Sequence, residues 1–178
     1  PVSGFAGVFA TARELGAPLI RLWAGGQGSA DASPEYRRRV VADALRFADQ
    51  TGDAGIRLGF EYHGGTLTDT HASAVAFYAE LPHPEIQAYW QPAVGLPEEQ
   101  RLASLQALLP RLANLHVFHW GPEHRRLLLA EGEGAWRRFF AAAASTGREH
   151  AALLEFVRDD DPAALAGEAA VLRRLCGV

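Results

Sequence analysis

The chain has 178 residues, 48% of them hydrophobic and 21% charged, which is enough apolar material for one packed domain over residues 1–178 and excludes a disordered segment. A net charge of −4 lacks the basic footprint of a nucleic-acid binder, and no apolar run approaches the roughly eighteen residues of a membrane span, so neither partner is expected. The single cysteine, Cys176, rules out an internal disulfide and fits a reducing, cytoplasmic setting.

In chain order, Phe5, Val8, Phe9, Ala12 and Leu15 recur at helical spacing and predict a helix from about Gly4 to Leu15, stopped by Gly16. The run APLIRLWAGG then reads as a short buried strand over Leu19 to Trp23. Asp31 or Ser33 caps a second helix that begins at Pro34, and Gly52 ends it. Strand and helix continue to alternate: strand Ile56 to Glu61, helix Asp69 to Leu81, strand Ile86 to Gln91, helix Pro97 to Leu109, strand Leu115 to Trp120, helix Gly134 to Thr146, strand Ala152 to Val157 and helix Pro162 to Leu175.

Strand starts fall roughly thirty to thirty-seven residues apart, the length of one strand with its crossover helix, which predicts a parallel sheet with helices outside it. No strand is followed by a phosphate-binding glycine motif, so the doubly wound nucleotide-binding folds lack their signal. A closed barrel of eight β/α units takes about 250 residues. Five strands therefore predict a partial (β/α)8 barrel whose N-terminal units are missing, and a chain that opens on Pro1 and contains no methionine is expected to be processed or to be a piece of something longer. Its edge strands, Leu19 to Trp23 and Ala152 to Val157, need a cover, which a preceding segment, a flattened sheet or a second copy in a homo-oligomer would supply.

In a parallel barrel, side chains at the C-terminal ends of the strands converge on the active face. Glu61, Gln91, His116 and Glu155 hold that position in four successive strands and make a mixed oxygen and nitrogen set for Mn²⁺, Mg²⁺, Co²⁺ or Zn²⁺. Gln91 is the weak member, because a neutral amide attracts a cation less than a carboxylate does. Glu61 in so apolar a strand is either a site residue or a satisfied buried carboxylate. His63 either reaches substrate or is a plain loop residue. His119 and Trp120, just past His116, are placed at the mouth of the pocket. Trp23 and Trp90, with Trp120, offer flat walls for a sugar or serve as packing at the rim. Arg21 is an anion clamp or the ion-pair partner of Glu61. The absence of lysine excludes Schiff-base chemistry, and no nucleophile elbow is present, which leaves acid–base or metal chemistry.

The segments LGAPLIRLWAGG, IRLGFEYHGG, LHVFHW and LLEFV, taken in order, resemble the xylose isomerase-like TIM barrels, the superfamily of sugar isomerases and epimerases, inosose dehydratases and endonuclease IV. The resemblance covers nearly the whole chain as strands four to eight. It implies one divalent metal held by Glu61, His116 and Glu155, with Gln91 standing where the family has Asp and Val94 where it often has a substrate histidine. His119 falls in the place of a family aspartate. The resemblance also implies that Glu61 and Glu155 move a proton next to a carbonyl of a small sugar or polyol. The expected activity is that of an isomerase or epimerase, with an inosose dehydratase-type lyase or a non-catalytic carbohydrate-binding barrel as the alternatives.

Overall fold

A computed structural model describes residues 3–177. Strands β1 (Leu19–Leu22), β2 (Arg57–Glu61), β3 (Ile86–Trp90), β4 (Leu112–Val117) and, past a short hairpin, β7 (Ala151–Leu154) form one five-stranded sheet in the order β1-β2-β3-β4-β7. Helices α1 (Ser3–Glu14), α2 (Pro34–Gly52), α3 (His71–Ala79), α4 (Glu98–Leu108), α5 (Glu133–Ala144) and α6 (Leu165–Cys176) alternate with the strands as the sequence predicts. The hairpin consists of β5 (His119–Trp120) and β6 (Arg126–Leu127). The chain divides into two compact units, one through Tyr89 and one from Trp90.

In the first unit, β1 pairs with β2 in parallel, Arg21 beside Gly59, and β2 pairs with β3, Glu61 beside Tyr89. Alternate side chains of β2 point to opposite faces, yet Leu58, Phe60 and Glu61 are all buried, which is the mark of a strand covered on both sides. Ser33 caps α2 by accepting the Tyr36 N–H at 3.1 Å, with Pro34 in the first turn, where its missing N–H costs nothing. Thr70 caps α3 in the same way, which is why that helix begins at His71 rather than at Asp69. Ala44 and Ala48 of α2 and Phe77 and Tyr78 of α3 are buried, as is Leu81 just past α3.

In the second unit, β4 pairs in parallel with β7, His116 beside Leu153. The core here is aromatic: Trp90, Trp136 and Phe139 are each about 1% exposed or less and meet edge to face, Trp90 at 6.2 Å from Trp136 and 5.1 Å from Phe139. The expected strand Leu115 to Trp120 is two elements. β4 starts earlier, at Leu112, and stops at Val117, and His119 and Trp120 leave it to pair antiparallel with Leu127 and Arg126. The hairpin turn places Glu123 at φ 57° and His124 at φ 59°, left-handed values unusual for residues other than glycine. The last helix likewise begins at Leu165, after a 3₁₀ turn over Pro162–Ala164 that Asp161 caps.

Candidate functional site

Glu61 ends β2 with 1% of its surface exposed. Arg21 registers with Gly59 on the neighbouring strand, and Glu61 lies two residues on along the same face, so the guanidinium leans along the sheet and binds Glu61 Oε2 through Nη1. Trp23 Nε1 donates to that same oxygen at 2.6 Å. The ion-pair reading of Arg21 is the one these contacts describe, and it does not exclude a site role, since both donors engage one oxygen and orient the carboxylate.

The turn after Glu61 is held by two buried threonines. Thr68 Oγ1 donates to the Glu61 carbonyl, Thr66 Oγ1 to the His63 carbonyl at 2.8 Å, and the Thr68 N–H to Thr66 Oγ1 at 3.1 Å. Asp69 Oδ2 accepts the Ser29 N–H at 2.9 Å and so ties the loop after β1 to the loop after β2. These residues carry no motif; their only sequence signal is a run of hydroxyl residues beside a strand end. His63 stacks on Trp23 with ring centres 4.5 Å apart, and its Nδ1–H donates to the Gly64 carbonyl at 2.7 Å. Half of Trp23 remains exposed at this strand end.

In the second unit, His116 is buried on β4, and Glu155 lies one residue beyond β7 rather than within it. The ladder nevertheless reaches it, because the Glu155 N–H donates to the Val117 carbonyl at 3.1 Å. His116 Nδ1 and Glu155 Oε1 are 3.5 Å apart, and a quarter of the glutamate side chain faces solvent. Gln91 lies one residue beyond β3 and is partly buried. Within the second unit, His116 and Glu155 offer a metal ion an imidazole and a carboxylate, and within the first unit Glu61 offers a carboxylate at its own strand end. Two carboxylates and one imidazole suit a divalent cation of the Mn²⁺, Mg²⁺, Co²⁺ or Zn²⁺ type, and three protein ligands leave coordination positions for substrate oxygens.

Trp90 is corrected. It is fully buried, its Nε1 donates to Ser104 Oγ at 3.0 Å, and its ring is covered by Trp136 and Phe139, so it offers no face to a sugar. Trp120 packs against Phe118 at 5.3 Å and Phe156 at 5.0 Å, with the Arg126 guanidinium over its ring at 5.5 Å. His119 is half-buried, and burial pushes its pKa below the ordinary histidine value, opposed by Glu131. Its ring sits so close to Gly132 that a Cβ there would lie 2.4 Å from Nδ1. The sequence also gave no sign of Glu168, a buried carboxylate on α6 whose Oε2 accepts the Leu129 N–H at 2.8 Å, because the two residues are far apart in the chain.

Parallel β/α units with acidic and imidazole side chains at the strand ends define a barrel-type α/β protein. The profile of the xylose isomerase-like TIM barrels matches residues 2–175, and the chain belongs to that family. Its five strands are thus a partial (β/α)8 barrel, as the sequence predicts. Among solved structures, a probable 3-DHS dehydratase, AsbF of Bacillus anthracis, matches at TM-score 0.80 and 20% identity over 97% of this chain and 69% of its own. A xylose isomerase-like TIM barrel protein from Mycobacterium smegmatis in complex with magnesium matches at TM-score 0.73 and 17% identity, over 96% and 65%. D-allulose 3-epimerase from Methylomonas sp. matches at 0.66 and 20%, over 94% and 60%. The chain thus spans 60–69% of the length of these three structures, and at such identities the likeness is one of fold. No curated protein sequence matches it significantly. No helix among the described residues is long and apolar enough to cross a membrane.

Proposed function

We propose that the chain is a sugar-modifying enzyme of its family, a divalent-metal-dependent isomerase or epimerase acting on a small sugar or polyol. The observation that carries the reading is the His116–Glu155 pair of the second unit, 3.5 Å apart at neighbouring strand ends and of the residue types a divalent metal takes, beside a carboxylate, Glu61, buried at a strand end of the first unit. Gln91 adds a neutral oxygen as fourth donor. When bound, the metal provides a Lewis acid that polarises a substrate carbonyl. One glutamate then takes the proton from the carbon next to that carbonyl, and the other delivers a proton to the opposite face, so that configuration inverts with no net gain or loss of atoms. Arg21 and Trp23 fix the angle of Glu61 for this role, and the exposed part of Trp23, stacked on His63, offers a sugar an apolar face.

Two other readings share the scaffold. A lyase of the dehydratase type would use the same ligands and expel water, and the likeness to AsbF keeps it in view. A non-catalytic carbohydrate-binding barrel is favoured by the Arg21–Glu61 ion pair, which satisfies Glu61 in part without a metal, and by the neutral Gln91. Calorimetric titration with Mn²⁺, Mg²⁺, Co²⁺ and Zn²⁺ separates the two metal-dependent enzyme readings from the non-catalytic barrel. The enzyme reading expects saturable binding of at least one cation, weakened on the order of tenfold or more in Glu61→Gln and His116→Ala, since loss even of a residue that merely supports a ligand costs that much. Binding of none of the four refutes it. With a cation bound, ketoses incubated in D₂O are expected to exchange the C–H next to the carbonyl, whereas a lyase gives a product lighter by one water.

A further inference from the structure

Beside the indole of Trp23, the first unit offers a sugar a second group. Arg21 lies on β1, an outer strand of the sheet, and 45% of its side chain is exposed, whereas its partner Glu61 is 1% exposed. The ion pair occupies one corner of the guanidinium. Nη1 meets Glu61 Oε2, and among the described residues no hydrogen bond or ion pair engages Nε or Nη2. That free edge is the fork with which an arginine takes a carboxylate through two parallel hydrogen bonds.

The fork is held in place. Arg37, Arg39 and Arg46 of the same unit pair with acids that are themselves exposed, and such pairs fix neither partner firmly. Glu61 is buried and also accepts Trp23 Nε1–H at 2.6 Å, so one carboxylate oxygen sets the positions of both the guanidinium and the indole. Arg21 Cζ lies 6.0 Å from the centre of the Trp23 ring, which is half exposed and stacks on His63. A sugar ring laid on that indole brings a charged substituent at its edge within reach of the fork. Because the Arg21–Glu61 pair is neutral as a whole, the geometry of the free donors rather than net charge selects the anion.

We infer that the sugar bound at this strand end is an acidic one, its carboxylate accepting from Arg21 Nε–H and Nη2–H and its ring resting on Trp23. Arg21 is then a specificity-determining residue. The inference rests on the sugar-binding part of the proposed function, which the enzyme and non-catalytic readings share, and it does not involve the metal.

The test follows the indole N–H signals of ¹⁵N-labelled protein without added divalent cation, with Trp23 assigned by Trp23→Phe. Sodium D-glucuronate, D-glucose and D-glucose 6-phosphate are titrated separately at constant ionic strength. The expected result is a saturable shift of the Trp23 signal, with glucuronate bound about three- to tenfold more tightly than glucose, the span between a screened surface pair and a bidentate charge-assisted one. In Arg21→Met the ratio is expected to fall to about one, whereas an arginine that merely supports Glu61 would weaken both sugars alike and leave the ratio unchanged. Should Arg21→Met lose its dispersed signals, Arg21→Lys keeps the charge without the fork and is expected to lower the ratio about twofold or more. No shift with either sugar, equal affinity for the two, or a ratio kept in the folded arginine variants overturns the inference. Tighter binding of glucose 6-phosphate than of glucuronate overturns the carboxylate assignment. The enzyme reading fails separately, by the absence of cation binding: a glucuronate preference without a cation leaves this inference standing, and a bound cation without the preference sinks this inference alone.

Discussion

Removing the Trp90 side chain tests whether this strand-end tryptophan belongs to the core or to a sugar site. The indole is fully buried, meets Trp136 and Phe139 edge to face, and donates to Ser104 Oγ at 3.0 Å. Truncating a buried aromatic to alanine costs about 3–5 kcal/mol through lost transfer energy and the cavity left behind. Ser104 does not add to this, because its Oγ still donates to the Arg101 carbonyl at 2.7 Å. Trp90→Phe keeps a ring against Trp136 and Phe139 and loses the hydrogen bond and part of the packing, about 1–2 kcal/mol. Ser104→Ala does the reverse: it leaves a buried indole N–H without an acceptor, a penalty of about 1–3 kcal/mol. Urea unfolding of the three variants, followed by tryptophan fluorescence and circular dichroism, is therefore expected to rank Trp90→Ala as the most damaging. The metal affinity of folded Trp90→Phe is expected to match that of the unmodified chain. A Trp90→Ala penalty below about 1 kcal/mol, or a phenylalanine variant as unstable as the alanine one, would refute the packing argument.

Glu168→Ala removes the acceptor of the buried Leu129 N–H and is expected to lower unfolding stability by about 1–3 kcal/mol. Glu168→Gln keeps an acceptor, and because Glu168 Oε1 is itself buried without a partner, that variant is expected to cost much less; equal losses in the two would contradict this account. Stability is also expected to fall with pH in the histidine range. Burial lowers the pKa of His119, opposed by Glu131, and that of His150, opposed by the Ala113 carbonyl. The unfolded chain therefore binds more protons than the folded one as pH drops below the unfolded value of about 6.5, so the stability present above that value is lost below it. Urea midpoints measured from neutral pH down into the acid side of that range are expected to decline, less steeply in a His119→Gln, His150→Gln double variant; a midpoint that rises on acidification contradicts the sign.

The alternation of strands and helices was legible from apolar runs and turn residues, as at β2, where an apolar run stops at Glu61 before paired glycines. So was the helix start at Ser33 and Pro34, where a hydroxyl and a fixed φ act on their own neighbours. Boundaries failed where distant groups decide them. β4 breaks at Phe118 because His119 and Trp120 pair with a hairpin strand that has no strong pattern of its own. Gln91 and Glu155 fall just beyond their strands, though the Glu155 N–H extends the ladder by one bond.

The residue types at the strand ends, and with them the family, were set by sequence alone, because a parallel β/α repeat dictates which positions face the C-terminal rim. Only the tertiary structure decided which neighbours those residues meet. Trp23 and Trp90 occupy similar places near strand ends, yet one donates to Glu61 Oε2 with half its surface exposed and the other vanishes into an aromatic core. The physical reason is range: capping and periodicity act within a few residues, whereas the Arg21–Glu61 pair and the Trp90–Trp136 contact each join residues about forty or more positions apart, which a chain brings together only by folding.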